Sequence, residues 1–197
     1  RRVTQALGFP LTALRTRRIF ITGAAGAGST TLGRALATAL AVPHHDTDDY
    51  LWLPSAPPYQ DWRPREDRLR LMREIFLPRS DWVLSGGVQG WGEEIVCFFD
   101  LVVFLRTATE VRVERLRSRE ARTFGSEAIG PGGWREKEFS EFIEWAAQYD
   151  AGTVEERNLA RQLSWLDTLQ TPVLRLDGAR PSSDLVAVVM ETLPQRL

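Results

Sequence analysis

Between Arg18 and Ala37 a short apolar strand, Ile19-Phe20-Ile21, enters a turn with three glycines and leaves it as a helix. Gly23, Gly26 and Gly28 permit backbone angles and close approaches that a side chain forbids, so successive N–H groups can converge on one anion. A helix beginning near Ser29 adds its positive end at the same point. The run Gly23, Ala24, Ala25, Gly26, Ala27, Gly28, Ser29, Thr30 therefore reads as a phosphate-binding loop of the pattern G-x-x-x-x-G-K-[ST]. It departs from that pattern once: Ser29 stands where a lysine would contact the outer phosphates. In such loops the hydroxyl at the Thr30 position ligates the magnesium ion of a bound nucleotide, and Thr31 takes that role if the register slips. Magnesium is thus an expected cofactor.

A glycine cluster after a strand can also be a plain turn, and a dinucleotide-binding turn is a sharper rival. Thr22 to Gly28 is similar to the Thr-Gly-x-x-Gly-x-x-Gly turn of short-chain dehydrogenases, with Ser29 where the last glycine should fall. Asp46 or Asp48 lies near the place of the ribose-binding acid. Those enzymes use a Tyr-x-x-x-Lys pair, however, and the one lysine, Lys137, follows Gly133 by four residues. An NAD(P)-binding dehydrogenase active site cannot be assembled from these residues.

The chain has 197 residues, 43% of them hydrophobic, enough for one substantial core. The formal charge of −1 provides no general basic field for nucleic acid. Arginine outnumbers lysine 24 to one within the 25 basic residues, a compositional bias that weakens arguments from single arginines. Cys97, in the apolar run Ile95 to Phe99, is expected to be a buried thiol in a reducing compartment. Residues 1–17 read as an N-terminal extension with a short helical patch, and 18–197 as one domain. No apolar run reaches membrane length, so a soluble cytoplasmic protein without membrane or nucleic-acid partners is expected. The residues say nothing of oligomeric state.

Apolar residues at helical spacing follow the loop up to Pro43, and a second strand runs into Asp46-Thr47-Asp48-Asp49. Tyr50 to Arg63, rich in proline and aromatics, reads as loop, within a substrate-side insert spanning about 50–80. Pro64 opens a helix. Trp82 to Ser85 is a third strand leading into Gly86-Gly87. Asp100 to Leu105 is a fourth, with the unbroken apolar run of a strand covered on both faces. Thr107-x-x-Glu110 reads as a capping box for an arginine-rich helix. Two more helices, a fifth strand at 172–176 and a last helix follow. Alternation of strand and helix predicts an α/β three-layer sandwich with a five-stranded parallel sheet and ligands beyond the carboxyl ends of the strands, and the resemblance of this plan to the phosphate-loop fold implies the strand order 2-3-1-4-5.

The order of these motifs resembles the shikimate kinase and nucleoside monophosphate kinase group of the phosphate-loop fold over about residues 18–193. The resemblance implies ATP and magnesium as cofactors, with Asp46 on the metal side and Asp48 on a hydroxyl of a small-molecule substrate. It implies a substrate contact around Gly86, Gly87 and Trp91, and an adenine pocket lined near Arg180. It also implies a lid at about 112–135 whose arginines neutralise the transferred phosphoryl group. Arg112, Arg115, Arg119 and Arg122 recur at helical spacing, and Arg115 and Arg119 are the candidates to compensate for Ser29. Each assignment has a plainer alternative. The three acids can cap a local turn, the arginines can form a solvated face, and Tyr50, Trp52, Tyr59, Trp62 and Trp91 can form a satellite core instead of a pocket. Three functions are left open, in this order: phosphoryl transfer from ATP to a small metabolite or nucleotide, nucleotide binding with weak or no turnover, and an NAD(P)-binding short-chain dehydrogenase-like protein.

Overall fold

The computed structural model describes residues 16–153, 155 and 157–193. The helical patch expected near the N-terminus lies outside them, and the first strand already includes Arg17. Five strands form one sheet: β1 (Arg17–Gly23), β2 (His44–Asp46), β3 (Asp81–Ser85), β4 (Leu101–Arg106) and β5 (Val173–Asp177). Every pairing is parallel and the order is β2-β3-β1-β4-β5. Placing β1 between β3 and β4 separates this sheet from the dinucleotide-binding order 3-2-1-4-5-6.

Side chains alternate across the sheet and give it two cores. Ile19, Ile21, Val83 and Val103 face α1 (Ser29–Leu40), while Phe20, Trp82, Leu84 and Phe104 face the opposite layer. That second layer holds α2 (Thr47–Leu51), α3 (Arg65–Ile75) and, after α4 (Thr109–Phe124), α5 (Ser126–Ile129) and α6 (Glu136–Ala147), the helix α7 (Leu159–Asp167). The final helix α8 (Ser182–Thr192) packs beside α1 through Leu185 and Val189. Leu116 of α4 joins Phe139, Ile143 and Ala146 of α6 in a third small core, against which Ala25 of the glycine loop also packs.

Three local expectations are corrected. The segment after β2 is not loop from Tyr50: Asp46 caps α2 by accepting from the Asp48 N–H, and Trp52 and Trp62 then form an antiparallel bridge. Helix α4 has no capping box. Its cap position is Ala108, and Thr107 Oγ1 instead donates to Ala27 O in the glycine loop at 3.2 Å. Cys97 is exposed, because Glu93–Phe98 forms a 3₁₀ turn whose three-residue repeat turns Ile95 inward and Cys97 outward. Among the described residues no helix is long and apolar enough to cross a membrane.

Candidate functional site

A cleft of about 1700 Å³ opens at the carboxyl ends of the strands, floored by the glycine loop. Gly26 and Gly28 take φ values of +79° and +101°, which a side chain would resist. Gly28 is the N-cap of α1 and no side chain caps the helix, so the first-turn N–H groups and the helix dipole are directed at the cleft. Gly178, after β5, lies hard against the loop: a Cβ there would meet Thr107 Oγ1 at 2.2 Å and Ala27 O at 2.6 Å. Arg115 stitches the same two segments, donating from Nη1 to Ala27 O at 3.3 Å and Gly178 O at 2.9 Å. Arg180 lines the cleft beyond them and faces Asp184 at 3.8 Å.

Thr30 and Asp46, sixteen residues apart in sequence, meet at the loop's inner end. Thr30 Oγ1 donates to Asp46 Oδ2 at 2.7 Å, and Ser85 Oγ donates to the same oxygen at 2.9 Å. Since Ser85 has spent its proton there, His44 Nε2, 2.9 Å from Ser85 Oγ, must be the donor in that pair. A carboxylate and a hydroxyl with free lone pairs form a hard oxygen donor set, the kind that holds magnesium with help from phosphate oxygens and water. Among the described residues no group of three His, Cys, Asp or Glu side chains converges as a protein-only metal site. The donors present fit a cation that shares its shell with a nucleotide.

Asp48, the second residue of α2, lines the cleft with its surface exposed there. Burial, then the neighbouring Asp46 charge, push its carboxyl up to about 6, with Arg157 and Arg119 opposing. Gly86, at φ +121°, lets the β3 turn pass Thr47, whose Oγ1 accepts from the Gly87 N–H at 3.1 Å. Trp91 Nε1 donates to Gly87 O at 3.0 Å, which fixes this edge. The aromatic residues divide between the two expected roles. Tyr50 is core, whereas Trp52 meets Tyr59 edge-on and Trp62 at a tilt beside the cleft, and Trp91 is buried but still lines it. Arg68 lies between Trp62 and Trp91, 5.2 and 5.5 Å from their ring centres.

The arginine helix splits as well. Arg115, Arg119 and Arg122 line the cleft, but Arg112 does not contribute to a basic face. It is fully buried and its guanidinium donates to Thr107 O, Ala25 O and Ala146 O. Arg119 pairs with Glu120 at 3.1 Å, and Glu120 also meets Arg135 at 3.5 Å. Sequence reasoning missed Arg157, whose Nη2 donates to Gly23 O, the first residue of the phosphate loop, at 3.0 Å.

A family model described as AAA domain matches residues 19–129. An uncharacterised protein of Bacillus subtilis (strain 168), YqaC, is 37% identical over 177 residues, covering 90% of this chain and 97% of that protein. A cytidylate kinase of Haloarcula marismortui is 32% identical over 120 residues, 54% of this chain and 60% of that protein. Among solved structures, a shikimate kinase from Acinetobacter baumannii in complex with shikimate superposes with a TM-score of 0.52 at 19% identity, covering 93% of this chain and 96% of that one.

Proposed function

The chain belongs to the AAA-domain family and has the fold of the phosphate-loop small-molecule kinases, and on that premise we propose that it is an ATP-dependent phosphotransferase acting on a small metabolite or nucleotide. The observation that carries this reading is the pairing of Thr30 and Asp46 at the loop with Asp48, a carboxyl held near 6, directly beyond them. A protein that only bound nucleotide would need the first pair but not the second feature. The loop amides would hold the phosphates. Thr30 and Asp46 would hold magnesium, which when bound offsets negative charge on the phosphate oxygens.

Asp48 would accept the proton of an acceptor hydroxyl as its oxygen bonds to the terminal phosphorus. The bond from that phosphorus to the bridging oxygen breaks in line, and ADP departs with the electron pair. A nucleoside monophosphate, as the similarity to a cytidylate kinase suggests, would use a phosphate oxygen instead and leave Asp48 to orient it. Arg119 and Arg122 line the side of the cleft from which charge on the transferred group would be met.

Titration calorimetry with Mg-ATP, followed by a panel of nucleoside monophosphates, sugars and hydroxy acids, tests the proposal. The expected result is nucleotide binding that Thr30→Ala weakens about tenfold or more, with ADP released in the presence of at least one acceptor. Absence of nucleotide binding would overturn it. Binding without transfer to any acceptor would leave the second reading, a nucleotide-responsive protein without turnover, which the uncharged Ser29 favours.

A further inference from the structure

We propose that Arg157 supplies, from the segment leading into α7, the positive charge that the phosphate loop lacks at Ser29. The proposal rests on the nucleotide-binding reading above and adds to it a residue 134 positions away from the loop glycine it touches.

Five other arginines of the cleft hold partners, while Arg34, Arg122 and Arg161 also line it. Arg115 spends Nη1 on the carbonyls of Ala27 and Gly178, Arg119 and Arg135 meet Glu120, Arg180 faces Asp184, and Arg68 is held between two indoles. Arg157 is placed differently. Its Nη2 donates to Gly23 O, and the same nitrogen lies 3.2 Å from the point where a Cβ on Gly87 would stand. The guanidinium therefore occupies the space between the first residue of the loop and the turn after β3, on the same cleft as Ser29 and Thr30. A neutral carbonyl orients the group without cancelling its charge, which holds for Arg115 as well, 3.5 Å from where a Cβ on Gly28 would stand; Arg157 differs in acting on Asp48. Its nearness to Asp48 is felt electrostatically by that carboxyl, so the cation stands beside the proposed site of transfer.

The mounting is firm. Asn158 caps α7 by accepting from the Arg161 N–H at 2.9 Å, and buried Gln162 donates to Thr22 Oγ1 of β1 at 3.0 Å while accepting from Tyr149. These contacts fix the start of α7 against the strand that feeds the loop, and Arg157 is the residue just before the cap. Burial opposes its charge, yet a guanidinium stays protonated where an ammonium can neutralise. Its planar fork also suits two phosphate oxygens at once.

The test measures affinity for AMP, ADP and a non-hydrolysable ATP analogue, each with magnesium, in the wild type, Arg157→Gln, Ser29→Lys and the double variant. A loop cation contacts the outer phosphates, so Arg157→Gln should weaken ADP and the triphosphate analogue at least tenfold and AMP less than twofold. Adding Ser29→Lys to Arg157→Gln should recover most of that loss, while Ser29→Lys alone should change little. Arg157→Lys, whose ammonium can neutralise on burial and lacks the fork, should also weaken ADP and the triphosphate analogue, though less than Arg157→Gln, and leave AMP within about twofold. If Arg157→Gln does not fold, Arg157→Met, which keeps the length of the stem and removes the charge, carries the same comparison. Equal losses for AMP and ADP, or no rescue by Ser29→Lys, would overturn the proposal while leaving nucleotide binding intact. A wild type that binds none of the three would overturn the nucleotide reading and this proposal with it.

Discussion

Asp48 owes its chemistry to neighbours on three separate segments. Asp46 at the end of β2 and enclosure in the cleft raise its carboxyl to about 6, and Arg157 and Arg119, from the segment before α7 and from α4, limit the rise. A general base is most useful when its pKa lies near the working pH, because it is then both ionised and basic. The kcat/KM profile with a hydroxyl acceptor, which reports groups of the free enzyme, should therefore fall as pH drops through about 6. Asp48→Asn should lose on the order of 10²-fold or more in turnover and flatten that limb, with Mg-ATP affinity kept within a few-fold. A profile in which the acidic limb survives in Asp48→Asn would assign it to another group.

Helix α4 carries a buried arginine, Arg112, and an exposed one, Arg122. Arg112 inserts between the phosphate loop and α6, with Ala25 O and Ala146 O as acceptors at 3.3 and 3.0 Å, and its charge faces Asp150 at 3.5 Å. Arg112→Met would leave those carbonyls without their donor, while Asp150 keeps Arg106 at 2.7 Å and Thr109 at 3.0 Å. The expected cost is about 3 kcal/mol or more in chemical denaturation, since one partner of a buried charged network has been removed. Arg122→Met, at the exposed end of the same helix, should cost under about 0.5 kcal/mol. The four arginines 112, 115, 119 and 122 are alike in sequence because helical periodicity fixes a stripe but not which end of it the core covers. The glycine loop and the parallel α/β layering were legible for the opposite reason: both follow from local backbone needs and apolar runs, while the strand order came with the resemblance to the phosphate-loop fold. The meeting of Thr30 with Asp46 followed from those elements once the sheet was assembled. Arg157 had no such signal, because it lies in an irregular segment without periodicity and reaches the loop only through the packing of α7 on β1. Cys97 was misplaced because an apolar run specifies burial on average and not the three-residue repeat of a tight turn.

At the scale of the whole molecule, two groups titrate against each other in the same acidic window. His45 stacks on Phe76 at 4.1 Å between ring centres and shares a hydrogen bond with the Tyr50 hydroxyl at 3.0 Å, in the core beneath α2 and α3. Burial, followed by the charge of His44 and that of Arg79, lowers its pKa to about 4. The folded state resists protonating His45, so this contribution is complete above the unfolded value of about 6.5 and is lost as pH falls towards 4. Asp48 has the reverse sign. Its folded pKa lies above its ordinary value, so the folded state takes up a proton more readily, and its contribution is present below about 4 and lost as pH rises through 6. Between about pH 4 and 6 folding releases protons at His45 and takes them up at Asp48, and the two slopes oppose. Wild-type thermal midpoints should consequently change little across that interval. Asp48→Asn removes the compensating uptake, so its midpoint should exceed wild type at pH 8, converge with it near pH 4, and fall more steeply in between, by about one proton in linkage slope. His45→Phe in the Asp48→Asn background should flatten the curve again while keeping the stack on Phe76. Parallel wild-type and Asp48→Asn curves would show that Asp48 titrates as an ordinary surface carboxyl. The base proposed for transfer would then lack the environment that tunes it.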